Sequence, residues 1–487
     1  MTFNSWEFLL FYPIVAALYF LLPKKLKWPM LLVASYYFYA CYQASLTVLI
    51  FGTTLVSWIA SNIIARSEKK AVRRLCLIVT LVVCFGVLFF YKYFNFLSGS
   101  VTGLINLFGG EVGSFELNLL LPVGISFYTF QTLSYVIDVY RREVEPERNF
   151  FFYALFVSFF PQLVAGPIER PGNLIPQLKE SHKLTCENAI KGGKHMLVGF
   201  FKKIVVADLI SVYVNAIYND VESAGALGII IATALFAVQI YCDFSGYTDI
   251  AIGCSRIMGI RLMKNFDHPY MARTIKEFWS RWHISLSTWF KDYLYIPLGG
   301  NRCKKPRALF NIFVVFLVSG LWHGANWTFV IWGVIHAAYQ IIGSLTLKRR
   351  NGVIEKMGIK VDSPLVNWTR RGVTFVLVCF AWLFFRANTV GEAGVLLEKL
   401  FVSGWSEPIS KTLSSMGLGA VEILTTLLSI VLLLIIECMV KYEEEDGGSS
   451  DILVGNCGFV YILWMIVFAW ALLLSKDMMS TFIYFQF

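Results

Sequence analysis

The chain has 487 residues, of which 57% are hydrophobic and 15% are charged, and its mean hydropathy is +0.63. A soluble globular protein carries about 25% charged residues, so this composition excludes an ordinary soluble domain and indicates a polytopic helical membrane protein. The formal net charge of +10 is concentrated in short loops, as expected for cytoplasmic loops of a membrane protein, and this distribution argues against nucleic-acid binding.

The N-terminal part alternates apolar runs with short basic segments. A first span is predicted at 6–22, and it leads into further spans, so we expect no cleavable signal peptide. Residues 28–65 are apolar between two basic ends and predict a hairpin of two short spans, because one crossing takes about 20 residues. Both basic ends are then expected in the cytoplasm, which places the N-terminus outside.

The next segments predict a return crossing and an interrupted element. A span at 75–97 leads to 98–116, which contains no Lys or Arg and is therefore expected to be an external loop. A span at 117–139 returns to the cytoplasm. The apolar stretch 150–168 is short and contains "PQLVAGP", which predicts a re-entrant element or an interfacial pair.

The remaining chain predicts further spans on both sides of a long basic stretch, 256–307. The apolar unit 308–346 follows that stretch and has basic ends. The other predicted spans are 195–216, 225–242, 372–387, 419–440 and 455–475. The total is 11 to 13 crossings with both termini outside.

The cysteines give no evidence of a metal or disulfide framework. The ten cysteines are scattered, and several lie inside apolar runs. They form neither a C-x-x-C pair nor a zinc-ligand spacing, so we interpret them as small buried hydrophobes and predict no metal site.

The segment 276–302, "KEFWSRWHISLSTWFKDYLYIPLGGNR", has the pattern of an amphipathic helix. We expect it to lie in the cytoplasmic interface or to line a cavity, and to end at "PLGG" (297–300). Its aromatic face carries Trp279, Trp282, His283, Leu286, Trp289, Phe290 and Tyr293, and its polar face carries Glu277, Arg281, Thr288 and Asp292.

A histidine lies near the middle of the apolar unit 308–346, in "LVSGLWHGANW" (317–327). Neutral imidazole suits a general base because its ordinary pKa of about 6.5 lies close to physiological pH. Burial of His323 among Trp322, Trp327 and Phe329 is expected to favour the neutral form. From residue chemistry alone, a general base and a hydrogen-bonded packing residue are equally open.

Three linked motifs carry a resemblance to a known family. They are "DFSGYTDIAIG" (243–253), "FWSRWHISLSTWFKDYLYIPLGGNR" (278–302) and "SGLWHGANWTFVIWGVIHA" (319–337). In this order they resemble the membrane-bound O-acyltransferase family, in the bacterial branch that includes the alginate O-acetyltransferase membrane subunit and the D-alanyl transfer protein of teichoic acid synthesis. The similarity extends to the opening "FNSWEFLLFYPIVAALYFLLP" and the closing "FIYFQF".

The resemblance implies a fold and a reaction. The fold is all-α, with helices around a membrane-crossing tunnel in one domain, 1–487. Within it, 1–140 hold the N-terminal spans, 141–350 the catalytic core, and 351–487 the C-terminal spans and an external tail. The reaction moves an acyl group, most simply acetyl, from an activated cytoplasmic donor to a hydroxyl acceptor.

The resemblance also implies partners and a location. The expected donor is acetyl-CoA or an acyl-carrier-protein thioester, with no tightly bound cofactor. The expected acceptor is an exported polysaccharide such as alginate, reached with an extracytoplasmic acetyltransferase or esterase-like partner. The expected location is the bacterial inner membrane. D-alanyl transfer to teichoic acids is the alternative within the family.

Two histidines are matched by the resemblance. The family's invariant histidine matches His323, which is expected to act as general base. A second histidine of this branch matches His283, which is expected to position the donor, polarise its carbonyl or donate to a developing oxyanion. Residues expected to support the tunnel, with plain structural pairing as the alternative, are Asp243, Asp249, Arg281, Trp322 and Asn326.

The C-terminal tail "STFIYFQF" (480–487) holds one phenolic hydroxyl, that of Tyr484. An aromatic tail can anchor in the outer membrane interface. Alternatively, the tail docks, and Tyr484 accepts the acyl group transiently in a transfer that depends on His323. Both hypotheses are open at this point.

Two functions of other classes compete with an enzyme. A secondary transporter also carries Asp and His inside the membrane, but it usually shows two corresponding halves with broken helices. No such symmetry is visible in this chain. A scaffold without catalysis has no need of a buried His323, so an enzyme is the favoured interpretation.

Overall fold

The computed structural model describes residues 1–406, 408–445 and 482. Within these residues the chain forms nineteen α-helices and no β-strand. In chain order the helices are α1 (Trp6–Leu21), α2 (Lys24–Gln43), α3 (Thr47–Arg66), α4 (Lys70–Leu88), α5 (Phe94–Leu107), α6 (Ile125–Arg141), α7 (Phe150–Ser158), α8 (Pro171–Lys179), α9 (Cys186–Phe200), α10 (Asp208–Tyr218), α11 (Ala226–Ile257), α12 (Ile275–Arg281), α13 (Ile284–Phe290), α14 (Lys305–His323), α15 (Trp327–Lys356), α16 (Pro364–Arg386), α17 (Val390–Glu398), α18 (Ile409–Ser415) and α19 (Ala420–Glu445). Wider π-helical turns occur at Phe89–Tyr93, Phe201–Ala207, Lys291–Tyr295 and Lys399–Ser403.

Seven helical stretches of the described chain are long and apolar enough to cross a membrane. They are Lys24–Arg66, Lys70–Leu107, Ala226–Ile257, Lys305–His323, Trp327–Lys356, Pro364–Arg386 and Ala420–Cys438. The protein is therefore a multi-pass helical membrane protein. The total of 11 to 13 crossings stays a prediction, because other predicted spans coincide with shorter helices and 455–475 lies outside the described residues.

Both predicted ends of the external loop 98–116 are wrong. Helix α5 continues to Leu107, because the residues after 97 are apolar enough to extend it, and it ends before Gly109, whose φ of +88° breaks the helical path. The next helix begins at Ile125 rather than at 117. Gly124 precedes it with φ +73°, and a Cβ there would lie 2.5 Å from the carbonyl oxygen of Leu163.

The interrupted stretch after α7 is buried and non-helical. Residues 159–169 are all buried. Their polar groups are bonded by neighbours: Phe160 N donates to Ser35 Oγ at 3.1 Å, and Gln162 Nε2 donates to the Phe156 carbonyl at 2.9 Å. Irregular backbone is tolerated inside a membrane protein only where protein or water satisfies it. This arrangement favours the re-entrant alternative for 150–168.

Helices α9 and α11 touch through glycines. A Cβ on Gly192 would lie 2.7 Å from the Gly253 carbonyl oxygen, and one on Gly199 would lie 2.6 Å from that of Gly246. The two glycines of each helix are seven residues apart, so they lie on one face and let the two backbones approach closely. Helix α11 is longer than the span predicted at 225–242 and carries the first sequence motif into this contact.

The α9–α11 contact predicts opposite effects for two adjacent glycines. Gly192→Ala should lower the midpoint of thermal unfolding by about 2 to 5 °C, because its methyl group meets α11 backbone atoms that cannot move aside. The matched control is Gly193→Ala, since a Cβ at Gly193 meets nothing within 4 Å. That variant should be neutral or stabilising, because Ala favours helix over Gly by about 0.5–1 kcal/mol. Equal unfolding midpoints for both variants, measured in detergent, would contradict the close helix contact.

Candidate active site

His323 is the last residue of α14, at the turn of the α14–α15 hairpin. The hairpin is tight because Gly320 and Gly333 face each other: a Cβ on Gly320 would lie 2.3 Å from the Phe329 carbonyl oxygen. The ring of Phe329 covers Gly324, where a Cβ would lie 2.1 Å from it. The small residues of the motif therefore allow the hairpin to close around His323. This turn lies near the middle of the apolar unit 308–346, where the sequence places the histidine.

The imidazole of His323 lies in an aromatic enclosure. His323 is 3% exposed, and its ring centroid lies 5.0 Å from that of Trp322, 5.0 Å from Trp332 and 5.5 Å from Phe385. The expected burial of His323 is confirmed.

Trp327 does not take part in that enclosure, contrary to the prediction. It is 52% exposed, its ring packs 5.5 Å from Phe96, and its Nε1 donates to Ser100 Oγ at 3.1 Å. Trp327 is the first residue of α15, and the extended helix α5 passes beside it. The same unexpected extension of α5 therefore explains why Trp327 points away from His323.

The C-terminal carbonyls of α14 are bonded by a distant segment. The Gly320 carbonyl accepts from Gly324 N at 3.4 Å. Tyr93 Oη donates to the Leu321 carbonyl at 2.7 Å, and Lys92 Nζ donates to the carbonyls of Trp322 at 2.8 Å and His323 at 3.0 Å. All four carbonyls at the end of the helix are thereby satisfied.

Lys92 and Tyr93 belong to the π-helical turn Phe89–Tyr93. Sequence reasoning missed both residues. The available signal was a lysine inside the predicted span 75–97, where an ionisable group is expensive.

His283 lies at a break in the chain, not within one helix as predicted. Helix α12 ends at Arg281, and His283 has φ +43° and ψ +56°, in the left-handed region that non-glycine residues rarely adopt. The cause is tertiary, because Ile284 N donates to the Asn265 carbonyl at 2.9 Å instead of continuing a helix. The residues of the predicted aromatic face are nevertheless almost all buried.

Asn265 determines which nitrogen of His283 carries the proton. Asn265 Oδ1 accepts from Ser285 N at 3.3 Å and from Ser285 Oγ at 2.9 Å, and it lies 3.0 Å from His283 Nδ1. A backbone N–H can only donate, so the atom facing it must be the amide oxygen, and Nδ1 must then carry a hydrogen. The lone pair of the neutral ring is therefore on Nε2. Burial lowers the pKa of His283 to about 3, which keeps the ring neutral at physiological pH.

This tautomer makes His283 a proton acceptor at Nε2 rather than a donor there. Of the three roles expected from the sequence, donation to an oxyanion from neutral Nε2 does not fit this arrangement. Asn265 is buried and was not identified from the sequence, because its contact with His283 depends on the break between α12 and α13.

Trp322 contacts both histidines. Its ring centroid is 5.0 Å from that of His323 and 5.9 Å from that of His283. Phe127 also contacts it, at 5.4 Å, and lies 6.1 Å from His283. The two predicted site histidines are therefore brought together around one aromatic side chain, although 40 residues separate them in the sequence.

A cavity opens beside His323. It lies between α14 and the segment before α6, and its lining includes Lys92, Gly124, Ser126, Trp322 and His323. His323 therefore has space next to it in which a reacting group can be placed.

The two motif aspartates are paired with consecutive lysines. Asp243 lies 2.6 Å from Lys203 Nζ, which also contacts Asp208 at 2.9 Å. Asp249 lies 3.0 Å from Lys202 Nζ. Both lysines lie in the π-helical turn Phe201–Ala207. A charge inside a membrane protein requires such compensation, so these pairs allow α11 to carry both aspartates of the first motif.

The other predicted supporting residues lie at helix ends. Arg281 donates to Glu277 Oε1 at 2.9 Å and to the Asp267 carbonyl at 3.3 Å. Asn326 caps α15, since its Oδ1 accepts from Thr328 N at 3.1 Å. The bonds of Arg281 and Asn326 go to neighbouring loops and helix ends rather than to a site histidine. Tyr484 lies outside the described residues.

Comparison with known proteins identifies the family to which this site belongs. The model of the membrane-bound O-acyltransferase family matches residues 141–353, which include both histidines. A probable alginate O-acetylase AlgI of Pseudomonas putida is 35% identical over 505 residues, covering 100% of this chain and 100% of its own. The chain belongs to the membrane-bound O-acyltransferase family. It is an acyltransferase, so the transporter and scaffold alternatives do not stand.

Two further members of the family are similar over most of the chain. A probable alginate O-acetylase AlgI of Pseudomonas aeruginosa is 40% identical over 411 residues, 83% of this chain and 75% of its own. A peptidoglycan O-acetyltransferase of Helicobacter pylori is 34% identical over 431 residues, 82% of this chain and 79% of its own.

The tautomer of His283 gives a prediction for this acyltransferase. Asn265→Leu removes the acceptor at Nδ1 and should lower the turnover of labelled acyl donor at least about tenfold, within the range for a misplaced proton-transfer group. Asn265→Asp retains an acceptor and should keep more activity than Asn265→Leu. The matched control is Thr248→Val, which removes only the 3.3 Å bond from Asn265 Nδ2. Equal activity of the Leu variant and the wild type would exclude a role for this hydrogen bond.

Proposed function

We propose that this protein transfers an acetyl group from an activated cytoplasmic thioester across the membrane, for O-acetylation of a cell-surface polysaccharide. The observation that carries the proposal is the pair of buried histidines, His283 and His323, which both contact the ring of Trp322. Membership in an O-acyltransferase family supports the reaction type. The proposed location is the bacterial inner membrane, with both termini outside.

The proposed direction of transfer rests on helix α14. Its first turn is basic and is expected in the cytoplasm, and His323 is at the other end of this 19-residue helix. At 1.5 Å per residue, roughly 27 Å separate the two ends. His283 lies within the basic stretch 256–307, and its ring contacts the same indole as that of His323. In the proposal the donor therefore approaches from the side of His283, and the acceptor approaches the cavity beside His323.

The proposed chemistry is general-base catalysis of acyl transfer. Neutral His323 takes the proton of the attacking hydroxyl, whose oxygen forms a bond to the thioester carbonyl carbon. The carbon–sulfur bond then breaks, and the departing thiolate takes the proton from the imidazolium. His283, with its lone pair on Nε2, is a second proton acceptor on the donor side. Atoms and charges balance without a metal or a bound cofactor.

The acyl group and acceptor are proposed from the relatives. The three relatives above are named as O-acetylases or an O-acetyltransferase, and each aligns with at least 82% of this chain. Their named acceptors are alginate and peptidoglycan, so the shared class is a hydroxyl-bearing cell-envelope polysaccharide. We propose acetyl-CoA or an acyl-carrier-protein thioester as donor and an extracytoplasmic acetyltransferase or esterase-like partner for delivery. D-alanyl transfer is the alternative that a choice of labelled donors distinguishes.

The assignment of His323 predicts a selective loss of chemistry. His323→Ala should abolish transfer of labelled acetyl while the protein still inserts, purifies as a single species and keeps its unfolding midpoint. His195→Ala is the matched control, because His195 lies on α9, which carries neither site histidine. Transfer at a near wild-type rate by His323→Ala would refute the general-base assignment.

The C-terminal tail is proposed to act as an acyl relay through Tyr484. Support comes from Phe482, two residues earlier. It is 1% exposed, its ring lies 4.4 Å from Lys203 Nζ and its centroid lies 4.8 Å from that of Tyr247. A residue buried inside the protein fits a docked tail better than a tail anchored in lipid.

The helix that carries Tyr247 also contacts His283. Tyr247 and Phe244 lie on the same helix, α11, and the Phe244 ring centroid lies 4.6 Å from that of His283. The phenol oxygen attacks the thioester carbon, loses its proton to a histidine and releases the thiolate. The resulting phenyl ester is activated, since a phenol with a pKa of about 10 is a better leaving group than a sugar alkoxide.

The relay predicts a labelled C-terminal peptide. With isotopically labelled acetyl donor, peptide mass spectrometry should find the acetyl group on Tyr484. The label should be absent from Tyr484→Phe and from His323→Ala. Phe482→Ala keeps the hydroxyl and loses the docking contact, so it should show reduced labelling. Full acetylation of the polysaccharide by Tyr484→Phe would leave the tail without a chemical role.

A further inference from the structure

The π-helical turn Phe89–Tyr93 makes a clamp around the end of α14, which we define as the side chains of Lys92 and Tyr93. Together they bind the carbonyls of three consecutive residues, Leu321, Trp322 and His323. More than 220 residues separate the clamp from these carbonyls in the sequence. The clamp is therefore a purely tertiary contact, and it acts on the helix end that carries the proposed base.

Placing Lys92 at this contact costs free energy, because its ammonium group is removed from water. It lies within the membrane-spanning stretch Lys70–Leu107, and no ion pair joins it to an acidic side chain among the described residues. A cation is stabilised at the C-terminus of a helix by the partial negative charge of the last carbonyls. A smaller neutral donor would satisfy one carbonyl at lower cost, whereas the ammonium group reaches both Trp322 and His323 at once.

We infer that Lys92 is a positioning residue for His323, with Tyr93 as its auxiliary. The inference rests on the proposed function of His323 as general base. By holding the carbonyl of His323 itself, Lys92 fixes the last peptide of α14, and this peptide determines where the imidazole points in its enclosure. Lys92 also lines the cavity beside His323, so the clamp and the proposed base border the same space.

The chemical consequence is a dependence of turnover on the clamp. Proton transfer requires heavy atoms within about 3.2 Å, and a displacement of about 1 Å can cost 10²-fold in rate. Without the ammonium group, two C-terminal carbonyls lose their donor, and the residues after Leu321 are free to shift. Substrate binding need not change, because the clamp contacts backbone oxygens of the protein.

The test compares Lys92→Met with Lys92→Arg. Lys92→Met keeps the length of the side chain and removes the donor, so kcat for acetyl transfer should fall at least about 30-fold while KM for donor and acceptor stays within about twofold. Lys92→Arg restores a cationic donor, so its kcat should be at least about tenfold higher than that of Lys92→Met. Tyr93→Phe removes one hydroxyl bond and should lower kcat about threefold. Lys70→Met, at the exposed start of α4, is the matched control and should match the wild type.

Each alternative outcome is decisive. A kcat of Lys92→Met within about threefold of wild type overturns the inference. A rise in KM with unchanged kcat also overturns it, because Lys92 would then be a binding residue. Equal losses in the Met and Arg variants together with a lowered unfolding midpoint indicate a structural role only. If Lys92→Met does not fold, unchanged kcat in Tyr93→Phe overturns the clamp.

The control for the proposed function is separate. His323→Ala is assayed in the same series of purified proteins. Wild-type activity of His323→Ala would refute the assignment of His323 as general base, whatever the activities of the clamp variants are. An inactive His323→Ala together with a fully active Lys92→Met would leave the base assignment in place and reject only the clamp.

Discussion

Polar groups inside a bilayer have no water to bind, and this constraint determines where the helices of this protein are allowed to end. Each interruption near the site is matched by donors or acceptors from elsewhere in the chain. The end of α14 is satisfied by Lys92 and Tyr93, and the break at His283 is satisfied by Asn265. The buried stretch 159–169 uses the hydroxyl of Ser35. Irregular backbone, which active sites need, is thus restricted to places where the fold provides partners.

Close helix contact provides the second condition for the site. The glycines of α9 and α11 let these helices approach, and the turn after α9 then brings Lys202 and Lys203 to Asp249 and Asp243. Removing one member of such a pair leaves an uncompensated charge, whereas the complete set is tolerated. The α14–α15 hairpin uses the same device, since glycines on both helices allow its turn to close around His323. Small residues and buried charges therefore work together in forming the core.

The two histidines differ in how they are supported. His283 is oriented through its side chain, because Asn265 fixes the tautomer of the ring. His323 is supported through its backbone, because Lys92 holds its carbonyl oxygen. The indole of Trp322 contacts both rings and keeps them at a fixed separation. A site built in this way holds both imidazole rings against one indole inside the core.

The sequence by itself determined the features that follow from local pattern. Apolar length identified membrane-spanning helices, the spacing of aromatics indicated the buried side chains of 276–302, and the aromatic surroundings of His323 in 317–327 indicated its burial. Tertiary structure alone decided the partners and the breaks: the left-handed His283, the exposed Trp327, and the contacts of Lys92 and Asn265. The physical reason is that hydropathy and periodicity report only the environment of a residue, whereas a hydrogen bond across 230 residues depends on which helices pack together.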